Sequence, residues 1–274
     1  MALRQTQLSS DFDALLEYGK KDLSFQGRHR ILASKKAAES LISRGNIDQG
    51  YYALGLVNGY LNNNHEAAEC FRKVYMLDAN ENNCFNYMNS LIDKGDIQSA
   101  FDLSKSFLRT NPNNLKIFMH ALSSCVFHLL PEEFEEIERL FKGEKNQKLL
   151  EEIEDCRESL KIKEELLKKH EVDKKFYQLV SIISNQVIKE FVISPTCSRI
   201  FETPDKQSII LDYFVDYLNE DECYEMSEIF DTKLKQYLMD NYSDDFDFMS
   251  NIFNLCVVFT SDIDNKKFYQ ANKY

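Results

Sequence analysis

The chain has 274 residues, 43% of them hydrophobic, with 45 acidic against 33 basic side chains for a formal charge of −12. That much apolar material excludes a disordered chain, and the negative balance argues against nucleic-acid binding, which requires a concentrated basic face. Only 8 Gly and 4 Pro occur, too few for the tight turns of dinucleotide folds, barrels or β-sandwiches, so the fold class expected is all-α, with helices joined by short polar loops.

Ser10 caps a first expected helix over about 11–23, with Phe12, Leu15 and Leu16 on one side. A second spans about 29–43 and stops at Arg44-Gly45-Asn46, a C-terminal signal. The basic residues Lys20, Lys21, Arg28, Arg30, Lys35 and Lys36 have acids among them and read as a solvated helix face. Residues 48–81 and 81–114 then repeat one pattern: two helical segments split by a polar turn and closed by an Asn-rich loop.

In the first of these units Tyr51, the pair Leu54-Gly55, Ala67, Phe71, Val74 and the closing Leu77-Asp78-Ala79-Asn80 follow one another in order. The second has Gly95-Asp96 at its turn, Ala100, and the closing Asn111-Pro112-Asn113-Asn114, with Ser104 and Phe107 where an aromatic and a small residue are usual. This pattern resembles the tetratricopeptide repeat, strongly over about 70 residues and loosely over about 130. Small residues let paired helices approach, and the aromatics fill the space between pairs. A degenerate third unit is expected over 115–142, with Pro131 opening its second helix ahead of Glu132 and Glu133. The helices before Gly45 read as a partial unit or a cap.

The resemblance implies a groove lined by the first helix of each unit. In this chain the inward positions are Gln49, Tyr52, Leu56 and Tyr60, then Asn82, Asn86 and Asn89, then Lys116, Met119 and Ser123. Such a groove takes a peptide or helix of another protein. Family members that clamp a C-terminal carboxylate use Lys and Asn where this chain has Tyr52 and Leu56; Asn86 and Lys116 only echo that set. Alternatively the flanking helices fill part of the groove.

Residues 146–171 form a charged linking helix between a repeat domain, 1–145, and a mostly helical C-terminal domain, 172–274. Its Leu149, Ile153, Cys156, Leu160 and Leu167, interrupted by Lys163, either pack one flank within the chain or make a seam for a homodimer. Beyond it, Phe176, Val180, Ile183, Val187 and Phe191 share a helix face. A loop is expected from Ser194-Pro195 to Thr203-Pro204. Helical stripes follow over Ile209–Leu218 and Met226–Leu238, and Ser243 caps a last helix carrying Met249, Ile252, Phe253 and Cys256. The β-branched residues of the run 256–260 keep a strand open there as the alternative.

Seven scattered Cys without a CxxC pair read as reduced thiols. The first seven residues lack an apolar stretch and no run reaches the length of a membrane span, so a cytoplasmic address is expected. No catalytic constellation, cofactor motif or metal site is expected. The pairs His65/Glu69, Cys125/His128 and Cys70/His65 have suggestive spacing but lack further ligands or an orienting group, and the cluster Asp240, Asp244, Asp245 and Asp247 reads as capping and solvation. The function expected is a non-enzymatic adaptor, chaperone or regulatory subunit. The alternatives are a subunit of a larger complex joined through Tyr213, Phe214, Tyr217 and Phe230, or an enzyme or effector with its site in 172–274.

Overall fold

A computed structural model describes residues 25–192, 197–215 and 218–261. The helix expected over 11–23 and Tyr217 lie outside the described residues. The chain divides into two compact units: one runs to Ser123 and resumes over Glu132–Asn146, and the other comprises Ser124–Pro131 with everything from Gln147 onward.

Helices dominate, as the composition predicts. The first part of the chain is an array: α1 (Phe25–Ser43), α2 (Ile47–Tyr60), α3 (Asn64–Leu77), α4 (Glu81–Lys94), α5 (Ile97–Thr110), α6 (Leu115–His128) and α7 (Pro131–Leu140), of which the end of α6 from Ser124 and Pro131 belong to the second unit. From α1 to α5 each helix packs against the next. The starts of α2, α4 and α6 are 34 residues apart, and Asn46, Asn80 and Asn114 precede them. Two of these caps are closed by side chains: Asn80 accepts the Asn83 N–H and Asn114 the Ile117 N–H. The turns within hairpins repeat as well. Asn62, Gly95 and Leu129 all take the left-handed conformation. The following N–H then bonds back to the carbonyl five residues earlier, Asn63 to Asn58, Asp96 to Leu91 and Leu130 to Cys125.

Packing between helices follows side-chain size. A Cβ on Gly55 would meet the Phe71 ring at 2.9 Å, and one on Gly50 would meet Ile42 Cγ1 at 2.5 Å. Ala67 and Ala100 are buried at equivalent places. In the second hairpin bulk has moved rather than vanished: Ala68, Phe71 and Val74 of α3 correspond to Phe101, Ser104 and Phe107 of α5, all buried.

The second unit contains α8 (Gln147–Lys169), α9 (Lys174–Phe191), strands β1 (Cys197–Glu202) and β2 (Ile209–Val215), α10 (Glu220–Tyr242), the short α11 (Phe246–Ser250) with a 3-10 turn over Asn251–Phe253, and β3 (Leu255–Ser261). The sheet has the order β1-β2-β3. β1 pairs antiparallel with β2, Arg199 opposite Asp212, and β2 pairs parallel with β3, Ile209 opposite Leu255.

Three expectations are corrected in this unit. Residues 209–215, read as part of a helical stripe, are the central strand; buried on both faces, it presents a nearly unbroken apolar run rather than an alternating one. Residues 197–202, read as loop, are its antiparallel partner. Asp245, not Ser243, caps the last helix by accepting the Phe248 N–H. That helix ends at Ser250, so Cys256 falls in β3.

Candidate functional site

The 34-residue step that sets the helices also brings side chains into rows on the face shared by α2, α4 and α6. Asn86 Nδ2 donates to the Tyr52 hydroxyl at 3.2 Å, across 34 residues. Lys116 Nζ donates to Asn82 Oδ1 at 2.8 Å, again across 34. Glu81 joins this second contact, 3.6 Å from Lys116 Nζ, while Asn114 Nδ2 donates to Glu81 at 2.7 Å. The Lys116 ammonium also lies 4.7 Å from the centre of the Phe85 ring, and Phe85 packs on His120 with centres 4.5 Å apart. A neutral amide ladder with one balanced ammonium therefore faces solvent beside half-buried aromatic rings.

Of the residues read from the sequence, Gln49, Asn82, Lys116 and Ser123 are exposed, and Tyr52, Asn86, Asn89 and Met119 are half-buried. Leu56 and Tyr60 pack instead against the cluster of Ile31 and Val57, so helix α1 takes up part of their surface. Sequence reasoning missed Glu81, Phe85, Asn114 and His120. The signal was available: adding 34 to Tyr52 and Asn86 gives His120, the third member of that row.

In the second unit the residues with reactive side chains serve the fold. The C-terminal end of α6 is buried and its orphan carbonyls need donors. Lys163 Nζ donates to the Val126 carbonyl at 2.9 Å, and Tyr177 and Gln178 donate to those of Phe127 and Leu129, each at 3.4 Å. Burial pulls the Lys163 ammonium down to about 8. His128 Nδ1 meets Ser181 Oγ at 2.9 Å, and burial, aided by the charge of Lys163, pushes the imidazole down to about 3. His128 is thus a neutral partner of Ser181. In the first unit burial raises the thiols of Cys70 and Cys84, the latter to about 12, so neither is an activated nucleophile. Glu69 pairs with Arg72 at 3.0 Å, and that pairing holds its carboxyl below the usual range.

Tyr213, Phe214 and Phe230, read as interface aromatics, are buried. Leu149, Ile153, Leu160, Lys163 and Leu167 of α8 are buried within the chain too. Within the sheet, Arg199 donates to Asp212 at 2.8 and 3.0 Å, and Thr260 donates to the other carboxylate oxygen at 2.9 Å, which balances a carboxylate buried in the central strand. Among the described residues, no helix is long and apolar enough to cross a membrane, and no group of three or more His, Cys, Asp and Glu is placed to hold a metal ion. No protein-family model matches the chain, and no curated protein or solved structure is significantly similar to it.

Proposed function

We propose that the first unit is a tetratricopeptide-type array that binds an extended peptide or a helix of another protein on the face of α2, α4 and α6. In this reading the chain works in the cytoplasm as a non-enzymatic adaptor, chaperone or regulatory subunit. One observation carries it: equivalent side chains one repeat apart bond to each other, Tyr52 to Asn86 and Asn82 to Lys116, which fixes a row of amide and hydroxyl groups at regular intervals. Fixed amides suit the backbone N–H and C=O groups of an extended chain, and the half-buried Tyr52, Phe85 and Met119 supply apolar anchors. Pre-set side chains lose little entropy on binding.

The test places charge on the exposed members of the face. Gln49→Arg, Asn82→Arg and Ser123→Arg, combined, should abolish capture of a stoichiometric partner from the source cells while leaving the helical circular dichroism unchanged. A partner retained by the folded triple variant would sink the reading. Leu56 and Tyr60 are left intact because truncating them would disturb the contact with Ile31 and Val57.

A further inference from the structure

The region around the four aspartates of 240–247 takes no part in the face described above. From Phe246 to Phe253 the chain forms one right-handed helical stretch: α11 runs to Ser250, and Ser250 and Asn251 keep helical dihedrals into the 3-10 turn. Seven residues make about two turns, so Phe246 and Phe253 leave the same side. The opposite side is anchored. Phe248 stacks on Tyr242 at 4.1 Å and meets Phe176 edge-on at 5.6 Å. Asn251 donates to the carbonyls of Asp247 and Phe248 and accepts the Asp173 N–H at 2.6 Å. The two outward rings are 79% and 82% exposed, more than any other large apolar side chain among the described residues. A single exposed apolar residue is ordinary; two rings on one side of a braced helical stretch form a patch.

Within the segment that carries the patch the charge has one sign; the nearest cations in sequence are Lys233 and Lys235, and Lys174 and Lys175 lie next to Asp173 on the anchored side. Residues 236–261 contain four Asp and no Lys or Arg. Asp240 accepts from the Gln236 amide and Asp245 from the Phe248 N–H, both neutral donors. An open depression of about 650 Å³ runs over residues 240–247, with Phe246 in its lining.

We propose that this surface docks a basic segment of a partner protein. The segment sets aliphatic or aromatic side chains against Phe246 and Phe253 and places Lys or Arg over Asp240, Asp244 and Asp247. Charge complementarity selects the occupant. Nucleic-acid phosphates and anionic lipid are repelled, and a second copy would bring a like-charged patch to this one. The rings supply the anchor, while the carboxylates set orientation and the rate of encounter.

The test selects short random peptides, displayed on phage, on the wild-type protein and on a Phe246→Ser/Phe253→Ser variant, whose altered positions are exposed. Sequences enriched only on wild type should interleave Lys or Arg with apolar residues. A synthetic copy should lose at least about tenfold in affinity on the Phe variant. It should also weaken on Asp240→Asn/Asp244→Asn/Asp247→Asn and with added salt; Asp245 is kept for its capping bond. Absence of wild-type-specific enrichment overturns the proposal. So does enrichment of acidic or uncharged sequences, or equal binding to a folded Phe variant.

Discussion

In the first unit Lys105 is 9% exposed and lies 3.2 Å from each of two carboxylates, Asp102 and Glu136. In the second, Lys163 is 3% exposed, bonds the Val126 carbonyl and lies 5.7 Å from the centre of the Tyr177 ring. Burial pulls both ammonium groups down. Around Lys105 the hydrogen bonds it donates to Glu136 and Asp102, with the charges of both, outweigh it and leave the group above its ordinary value; around Lys163 burial wins. The array meets its charges with opposite charges near solvent. The second unit meets a structural need, the orphan carbonyls of α6, with an ammonium inside, beside a neutral histidine. Its stability is therefore tied to pH in a way that the array's is not.

The largest expected effect tests that contrast in acid. His128 titrates at about 3 in the folded protein against 6.5 when unfolded. Below 6.5 the unfolded chain takes up a proton that the folded one refuses, so stability falls as pH drops from 6.5 to 3. A tenfold difference in proton affinity is worth about 1.4 kcal/mol, so the total approaches about 4–5 kcal/mol. Once the intrinsic slowing of exchange in acid is divided out, protection factors of α9 amides should fall over that window far more than those in α4, and His128→Gln should flatten the difference. Equal loss of protection in both units would break the comparison.

On the alkaline side Lys163 acts with the same sign. Its folded value is about 8 against 10.5. Both states are charged below 8, and the folded one loses its proton first as pH rises, so the second unit should gain about 3 kcal/mol between pH 8 and 10.5. A neutral amine still donates to Val126. Lys163→Met should abolish the gain in denaturant titrations, whereas Lys105→Met should leave the profile of the first unit between pH 8 and 10.5 unchanged, because Lys105 is raised above its ordinary value rather than lowered.

Two smaller effects probe the array itself. Gly50→Ala should destabilise it by about 1–3 kcal/mol, since the added methyl meets Ile42 and the backbone of α1. Asn80→Ala should cost about 1 kcal/mol through the lost cap of α4, and Asn46→Ala less, because Asn46 makes no side-chain cap bond. Thermal melts of the three proteins would rank them.

The same difference explains what can be read from the residues. The first two hairpins of the repeat are specified locally, by an Asn before the first helix, an Asn or Gly at the turn and small residues where helices meet, so a repeated pattern announces a repeated structure. The second unit is specified at a distance. Ile209 and Ile210 followed by Tyr213 and Phe214 have the spacing of a helix face, and only the pairing of Ile209 with Leu255 makes them a strand. Lys163 reads as a break in an apolar stripe because the carbonyl it serves lies 37 residues away in sequence. Phe253 reads as one apolar position of a last helix with Met249, Ile252 and Cys256, yet that helix ends at Ser250 and Phe253 is 82% exposed. For the candidate face, positions follow from the repeat, but the share of Leu56 and Tyr60 claimed by α1 depends on a helix outside it.

The parallel pairing of β2 with β3 also orders events in synthesis. When β2 leaves the ribosome it has β1 beside it, but its second partner begins at Leu255. At about 5–20 residues per second that strand arrives seconds later. Until then an apolar strand, destined for burial on both faces, has one unpaired edge. The helix array, whose neighbours in space are neighbours in sequence, has no such wait. The interval before β3 is complete is when a nascent chain of this protein would most need a holding chaperone.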